Sequence, residues 1–290
     1  MTFDIKARAV VNAAGVWAGG LVPGVHLRPS RGSHIVVRGE ALGDPQVCLM
    51  LPVPGERTRY VYAVPQSSGL VYVGVTDTPV DGPVDDVPEA PDSDISFLLE
   101  TLNHALATPL GREDIVGTFA GLRPLLEQDG KASADVSRRH VVLHSPGGVL
   151  TVVGGKLTTY RRMAQDAMDA AVAARGLTAG PCITARLPLV GAATRAELAR
   201  IDAPDRLIRR YGTEAVAVLE LGVADPTLGR PLTDTVDVTG AELVFALLNE
   251  GAMDIGDLLD RRTRVGMVPR DRRAATNMAE AVFAEHASGV

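Results

Sequence analysis

Gly154-Gly155-Lys156-Leu157-Thr158-Thr159-Tyr160-Arg161 follows an apolar run, Val149 to Val153. It precedes a segment in which Leu157, Tyr160, Ala164, Ala167, Met168 and Ala171 recur at helical spacing. The pattern predicts a buried strand, a glycine turn and a long helix that ends near Gly176. At such a turn the backbone can approach a ligand closely, and the new helix presents unpaired N–H groups. The loop is not a phosphate-binding Walker loop. Leu150 stands where that motif requires its first glycine, and Leu157 follows the lysine where Ser or Thr is required. The residues alone leave two readings open, an anion cradle and a plain glycine-eased turn with an exposed lysine.

Working outward, Val141 to Leu143 and Val149 to Val153 flank Ser145-Pro146-Gly147-Gly148 and predict a hairpin. Near the N-terminus, Ala9-Val10-Val11 reads as a short buried strand running into the small-residue turn Asn12 to Trp17. From Arg28 to Thr78 the pattern is β-rich, with strands expected at His34–Val37, Tyr60–Val64 and Leu70–Val75. After a Pro/Asp-rich loop, Asp92 or Ser93 is expected to cap a helix carrying Ile95, Leu98, Leu99, Leu102 and Leu106. Ile115 to Leu125 reads as a strand ending in Gly121-Leu122-Arg123-Pro124. Beyond residue 180 the β signals nearly vanish. Five helices are expected, at Leu207–Tyr211, Glu214–Leu221, Ala241–Leu248, Ile255–Leu259 and Asp271–Phe283.

The chain of 290 residues has ordinary globular composition, 46% hydrophobic and 22% charged. With aromatics at 4%, its cores must be built from Ala, Val and Leu. A net charge of -6 argues against a nucleic-acid partner, yet leaves room for a local basic pocket. Cys48 and Cys182 form neither a disulfide framework nor a zinc site, and they fit a reducing cytoplasm. No apolar run approaches the ~20 residues of a spanning helix, and Met1 to Arg8 lacks the apolar region of a signal peptide. The chain has no Gly-x-Gly, no Gly-x-Ser-x-Gly and no His-x-x-x-His pair on a predicted helix. What remains is a set of cations in apolar surroundings: Arg123, Arg138, Arg139 and Lys156. Singly each reads as a surface charge, and together they suggest an oxyanion pocket. His34 is a candidate acid/base or a structural histidine, and Thr76-Asp77-Thr78 either faces a ligand or makes a turn.

Five segments in order carry a resemblance. Val11 to Trp17 resembles the stretch after the last strand of the FAD domain in the D-amino-acid-oxidase superfamily of flavoproteins. Arg31 to Val37, Gly74 to Asp77, Gly121 to Leu125 and Gly154 to Arg161 then resemble the FAD-dependent, respiratory glycerol-3-phosphate dehydrogenases. Glu242–Glu250 and Asp257–Arg264 are similar to that family's C-terminal helical cap. The resemblance implies an α/β and α+β architecture in three parts. These are part of an FAD-binding domain (1–27 and 138–179), a mixed-sheet substrate domain (28–137) and a small all-helical C-terminal domain (180–290). It implies that the chain begins within the FAD domain, without the N-terminal region that holds the pyrophosphate fingerprint.

The implied reaction takes a hydride from C2 of sn-glycerol 3-phosphate to FAD, giving dihydroxyacetone phosphate, with a quinone as final acceptor. Arg123 and Arg138 are then expected to contact the substrate phosphate or the C2 oxygen, with Thr76 beside them. His34 is the expected proton acceptor. Lys156 is expected between flavin and substrate. Gly154, Gly155, Leu157, Thr158 and Thr159 are expected along the flavin, and Ala14 and Gly15 along its adenosine or pyrophosphate side. The expected partners are glycerol 3-phosphate, a quinone, the remaining FAD-binding half, the inner membrane face through peripheral contact, and a second copy of the chain. Two other readings stay open: an amine or amino-acid oxidase of the same superfamily, and a non-catalytic remnant or binding module.

Overall fold

A computed structural model describes residues 3–127 and 139–286. Arg138, one of the expected substrate contacts, lies outside the described residues. In chain order the elements are β1 (Val10–Asn12), α1 (Ala18–Leu21), β2 (Ser30–Arg38), β3 (Leu49–Pro52), β4 (Tyr60–Pro65), β5 (Leu70–Gly74) and β6 (Thr78–Pro79). Next come α2 (Asp92–Asn103), β7 (Ile115–Arg123), β8 (Val141–His144), β9 (Val149–Val153), α3 (Tyr160–Arg175), α4 (Arg195–Leu198), α5 (Asp205–Tyr211) and α6 (Ala215–Ala224). The last are β10 (Pro231–Thr233), β11 (Val236–Thr239), α7 (Gly240–Asn249) and α8 (Pro269–His286).

The small sheet has the order β1-β9-β8, with β1 parallel to β9 and β8–β9 a hairpin. Asn12 locks it: its Nδ2 donates to the carbonyl of Ala18 at 3.0 Å and to Thr151 Oγ1 at 3.4 Å. The expectation of a buried first strand is corrected. Val10 is 52% exposed, because none of the described residues covers its face of β1, and burial begins at Asn12. The helical stripe after Gly155 is corrected as well. Ala167 and Ala171 pack inward, whereas Leu157, Tyr160 and Met168 stay exposed, since none of the described residues covers that side of α3.

The large sheet is organised on β2. Ser30 pairs with both Pro79 and Arg123, and His34 with both Gly74 and Phe119. β5 and β6 therefore run along one edge of β2, and β7 along the other. Ile35, Val36 and Val37 are all fully buried, so both faces of β2 are covered. Ile35 and Val37 meet Leu98 and Leu102 of α2, while Val36 meets Leu70 and Val268. That double cover explains a continuous apolar run where a half-exposed strand would alternate. α2 starts at Asp92 with Pro91 at the N-cap and no side-chain cap, so neither Asp92 nor Ser93 plays the capping part expected of it. Fixed φ at Pro91 prepares the helix start without one.

The C-terminal unit packs α5 to α8 around Leu243, Leu247, Leu258 and Leu259. It is not all-helical, because β10 and β11 pair as an antiparallel hairpin. The expected helix at Ile255 continues as a π-helical segment, Asp257–Arg262. Helix α7 begins with a capping box: Glu242 Oε2 accepts from the Thr239 N–H at 2.9 Å. This unit docks on the large sheet at β7 and the end of β2. A Cβ on Gly117 would stand 2.0 Å from the Met267 carbonyl oxygen, so only glycine permits that approach. Beside it Asp271, 4% exposed, pairs with Arg38 at 3.1 Å and accepts from Thr235 at 2.9 Å.

Gly117→Ala is expected to destabilise the chain by about 1–3 kcal/mol through forced separation at this joint. Gly121→Ala on the same strand, where a Cβ meets nothing within 4 Å, is the control. Chemical denaturation curves of the two variants check the difference, and equal midpoints would rule out the close approach.

Candidate active site

Alternation along β2 sorts its residues into two sets. Arg31 and Ser33 point toward α2, where Asp94 Oδ2 accepts from Arg31 Nε at 3.1 Å and Ser33 Oγ at 2.5 Å. Thr76 Oγ1 joins them, donating to Asp94 at 3.1 Å and accepting from the Ser33 N–H at 2.9 Å. The Thr76 hydroxyl, expected at a substrate, is thus engaged in the scaffold and buried. Thr76 reaches the site through its carbonyl.

Ser30, Gly32 and His34 occupy the opposite face. Arg123, at the end of β7, lies across Gly32, with Nη2 2.7 Å from where a Cβ would stand. Its Nη2 donates to the Thr76 carbonyl at 3.2 Å, and its Nη1 to Ser30 Oγ at 3.3 Å and Asp77 Oδ1 at 3.4 Å. Ser30 Oγ also donates to Asp77. The guanidinium is therefore held in one orientation and remains 26% exposed at the site. His34 stacks on Phe119, with ring centroids 4.5 Å apart and planes at 7°, and its other side lies over Gly74. Its Nδ1 is buried and has no hydrogen-bond partner among the described residues. Burial, and then the charge of Arg123, lower its pKa from 6.5 to about 4. The structure thus brings His34 and Arg123 together, with Asp77 of the Thr76-Asp77-Thr78 segment, and with Ser30 and Phe119 as supports the sequence did not identify. Their signal is cross-strand register, which sequence spacing does not contain.

The glycine turn belongs to the other sheet. Because β1 and β9 are parallel, the loops Ala13-Ala14-Gly15 and Gly154-Gly155-Lys156 leave their strands at the same edge. Ligands of open α/β sheets bind at this carboxyl edge. Gly154 and Gly155 have φ of +77° and +79°, and a Cβ on them would stand 2.7 Å from the Arg139 carbonyl oxygen and 2.4 Å from Met163 Sδ. Part of the glycine requirement is therefore internal packing. Thr159 Oγ1 caps the turn, donating to the Lys156 carbonyl at 2.9 Å and accepting from the Lys156 N–H at 3.2 Å. Lys156, Leu157 and Thr158 are exposed, and the Lys156 ammonium and Thr158 hydroxyl have no partner among the described residues. No hydrogen bond or ion pair among the described residues joins Lys156 to His34 or Arg123. The two sheets meet where Arg28 N–H donates to the Leu125 carbonyl at 2.9 Å and Glu127 N–H to the His26 carbonyl at 3.1 Å. Only Pro124 separates Arg123 from that seam.

A free ammonium, a free hydroxyl and two convergent loops at a carboxyl edge fit a large ligand with phosphate and ring oxygens. Comparison with known families agrees. Residues 2–161 match the family described as FAD dependent oxidoreductase, so the chain belongs to that family, whose cofactor is FAD. Residues 182–288 match the C-terminal domain of alpha-glycerophosphate oxidase. The chain is 46% identical over 287 residues to glycerol-3-phosphate dehydrogenase 1 of Mycobacterium tuberculosis, covering 96% of this chain and 55% of that protein. It is 30% identical to the mitochondrial glycerol-3-phosphate dehydrogenase of Mus musculus, covering 92% of this chain and 39% of that one. The crystal structure of the glycerol-3-phosphate dehydrogenase from Bacillus halodurans, complexed with FAD, superposes with a TM-score of 0.79 at 25% identity, over 98% of this chain and 59% of that one. The chain thus spans about half the length of the mycobacterial relative.

The site carries a pH prediction. A histidine pKa lowered in the folded state contributes stability that is complete above about 6.5 and lost as pH falls through about 4. In a titration followed by NMR, His34 is expected to protonate near pH 4. Arg123→Ala is expected to raise that value while leaving it below 6.5, because burial is the larger cause. A His34 that titrates at 6.5 in the parent chain would refute the packing described.

Proposed function

We propose that this chain supplies the substrate-binding sheet, part of the flavin site and the C-terminal domain of an FAD-dependent glycerol-3-phosphate dehydrogenase. The reaction is oxidation of sn-glycerol 3-phosphate to dihydroxyacetone phosphate, with electrons passed on to a quinone. The observation that carries this reading is the pairing of a fixed guanidinium, Arg123, with a half-buried histidine whose pKa is lowered, His34, on one face of β2. FAD, when bound, supplies the acceptor for the C2 hydride.

The chain's own residues do the rest. Arg123 binds the phosphate or the C2 oxygen by charge-assisted hydrogen bonds, and its scaffold contacts fix its direction before substrate arrives. His34 is neutral at pH 7 and takes the C2 hydroxyl proton at Nε2, the ring nitrogen that is not enclosed. A phosphate dianion against Arg123 offsets the positive charge that helps depress His34, and so makes the imidazole a better base once substrate is seated. Lys156 is an exposed cation at the flavin loop, suited to a developing negative charge. Thr158, Gly154 and Gly155 line the same loop, with Ala14 and Gly15 on the neighbouring one. We place the domain boundaries near residues 27, 137 and 179. Three apolar cores fall within these divisions, and a fourth cluster, Val36, Leu70 and Val268, joins the large sheet to the C-terminal unit. Among the described residues no helix is long and apolar enough to cross a membrane, and a lipid-soluble quinone acceptor would bring the protein to the membrane surface.

The test uses the chain joined to an N-terminal FAD-binding segment of a relative. Anaerobic glycerol 3-phosphate is expected to bleach the flavin absorbance, and a water-soluble quinone to restore it. Arg123→Ala is expected to lower kcat/KM by roughly 100-fold, about 3 kcal/mol, with flavin content unchanged. Bleaching by glycine or a D-amino acid, with glycerol 3-phosphate inert, would replace this reading with that of an amine oxidase.

A further inference from the structure

A cavity of about 460 Å³ lies between the β4–β5 end of the large sheet and the C-terminal unit. Six arginines line it, Arg38, Arg206, Arg209, Arg210, Arg262 and Arg264, against three carboxylates, Asp237, Glu250 and Asp271. In a chain of net charge -6 this is a local reversal of sign. Neither His34, Arg123 nor Lys156 lines it.

Three of the arginines are neutralised and fixed by carboxylates. Arg206 Nη1 lies 2.7 Å and Arg210 Nε 3.7 Å from Glu242, which is fully buried behind the wall, and Arg38 pairs with Asp271 at 3.1 Å. Arg209, Arg262 and Arg264 are exposed; among the described residues Arg209 and Arg264 have no carboxylate partner, whereas the charge of Arg262 acts on Asp257. The loop carrying two of them is held in place. Arg210 Nη2 donates to the Arg262 carbonyl at 2.5 Å, and Thr263 Oγ1 to the Leu258 carbonyl at 2.7 Å. Arg264 sits at φ +58°, a left-handed conformation that a non-glycine residue adopts under constraint. A π-helical segment, Asp257–Arg262, leads into it, and such segments recur at functional sites. Like charges gathered this way repel unless an anion joins them.

We infer that this cavity is a binding site for a small organic polyanion of the diphosphate class. Two guanidiniums without carboxylate partners, Arg209 and Arg264, with Arg262 beside them, offer forked donors to phosphoryl oxygens. The volume suits a compact ligand of that class. The wall adds hydroxyls from Ser67, Ser68 and Thr235 and the ring of Tyr72. Tyr72 meets Phe119 edge-on at 5.3 Å, and Phe119 is the ring stacked on His34. A ligand here therefore touches a run of three rings that ends at the candidate base. The inference does not rest on the proposed reaction.

The test is calorimetric titration of inorganic pyrophosphate into the whole chain, with ionic strength held constant by potassium chloride. Saturable binding of one pyrophosphate per chain is expected, with a raised Tm. The double variant Arg209→Ala/Arg264→Ala is expected to weaken binding at least tenfold. The single variant Arg209→Gln, on an exposed helix surface, is expected to weaken it several-fold with an unchanged circular dichroism spectrum. Arg123→Ala is expected to bind as the parent does. Absence of saturable heat would overturn the proposal, as would unchanged binding by the folded arginine variants. Loss of binding in Arg123→Ala alone would place the anion at the candidate active site and equally overturn it.

Discussion

One buried carboxylate sets the geometry of the large sheet. Asp94, turned inward from the first turn of α2, accepts hydrogen bonds from Arg31, Ser33, Thr76 and Thr78. Burial alone pushes its pKa up. Hydrogen bonds from Ser33, Arg31 and Thr76, with the charge of Arg31, outweigh that and hold it below the ordinary carboxylate value. Strand β2, the crossing from β5 to β6 and helix α2 are thereby tied at one point. With Arg31 and Ser33 committed to that side, Ser30, Gly32 and His34 must face the other. Ser30, Gly32 and His34 are thus turned toward the site by contacts made on the opposite face of the strand.

Much of this was legible in the sequence, and the reason is local. The strands of the large sheet, the β8–β9 hairpin and the long helix after the glycine turn carry their own periodicity and turn residues. Gly154 and Gly155 announce a left-handed turn, and His34 and Arg123 stand out as polar groups within apolar strands. What the sequence did not disclose depends on contacts distant in the chain. Ser30 and Asp77 are separated from Arg123 by 93 and 46 residues, yet they aim it. Phe119 reads as an ordinary strand aromatic until register sets it on His34. Thr76 and Thr159 look available, but each hydroxyl already has local or buried partners. The β10–β11 hairpin is short and polar, and its signal is lost among the helices around it. The capping box Thr239 to Glu242 was present as Thr-Gly-Ala-Glu and would have placed the start of α7 correctly.

The small sheet and the large one contribute in different ways. The large sheet supplies fixed side chains. The small one supplies two backbone loops at the edge of a parallel pair, with an exposed lysine and an exposed threonine. The segments entering β2 and leaving β7 pair at Arg28–Leu125 and His26–Glu127, and Arg123 stands next to that seam. A reaction that needs both an electron-accepting ring system and a fixed anion clamp would use this division of labour.

β2 presents its side chains like marks on a ruler. Same-face residues recur every ~6.6 Å, so Gly32, His34, Val36 and Arg38 form one straight series. They lie under the guanidinium of Arg123, on Phe119, against Val268 and beside Asp271. A slip of one residue in the pairing of β2 would exchange the two faces at every mark. Arg31 and Ser33 would stand in the open site, and His34 would be driven against Asp94. Folding to the correct register and assembling the site are therefore a single event in this protein.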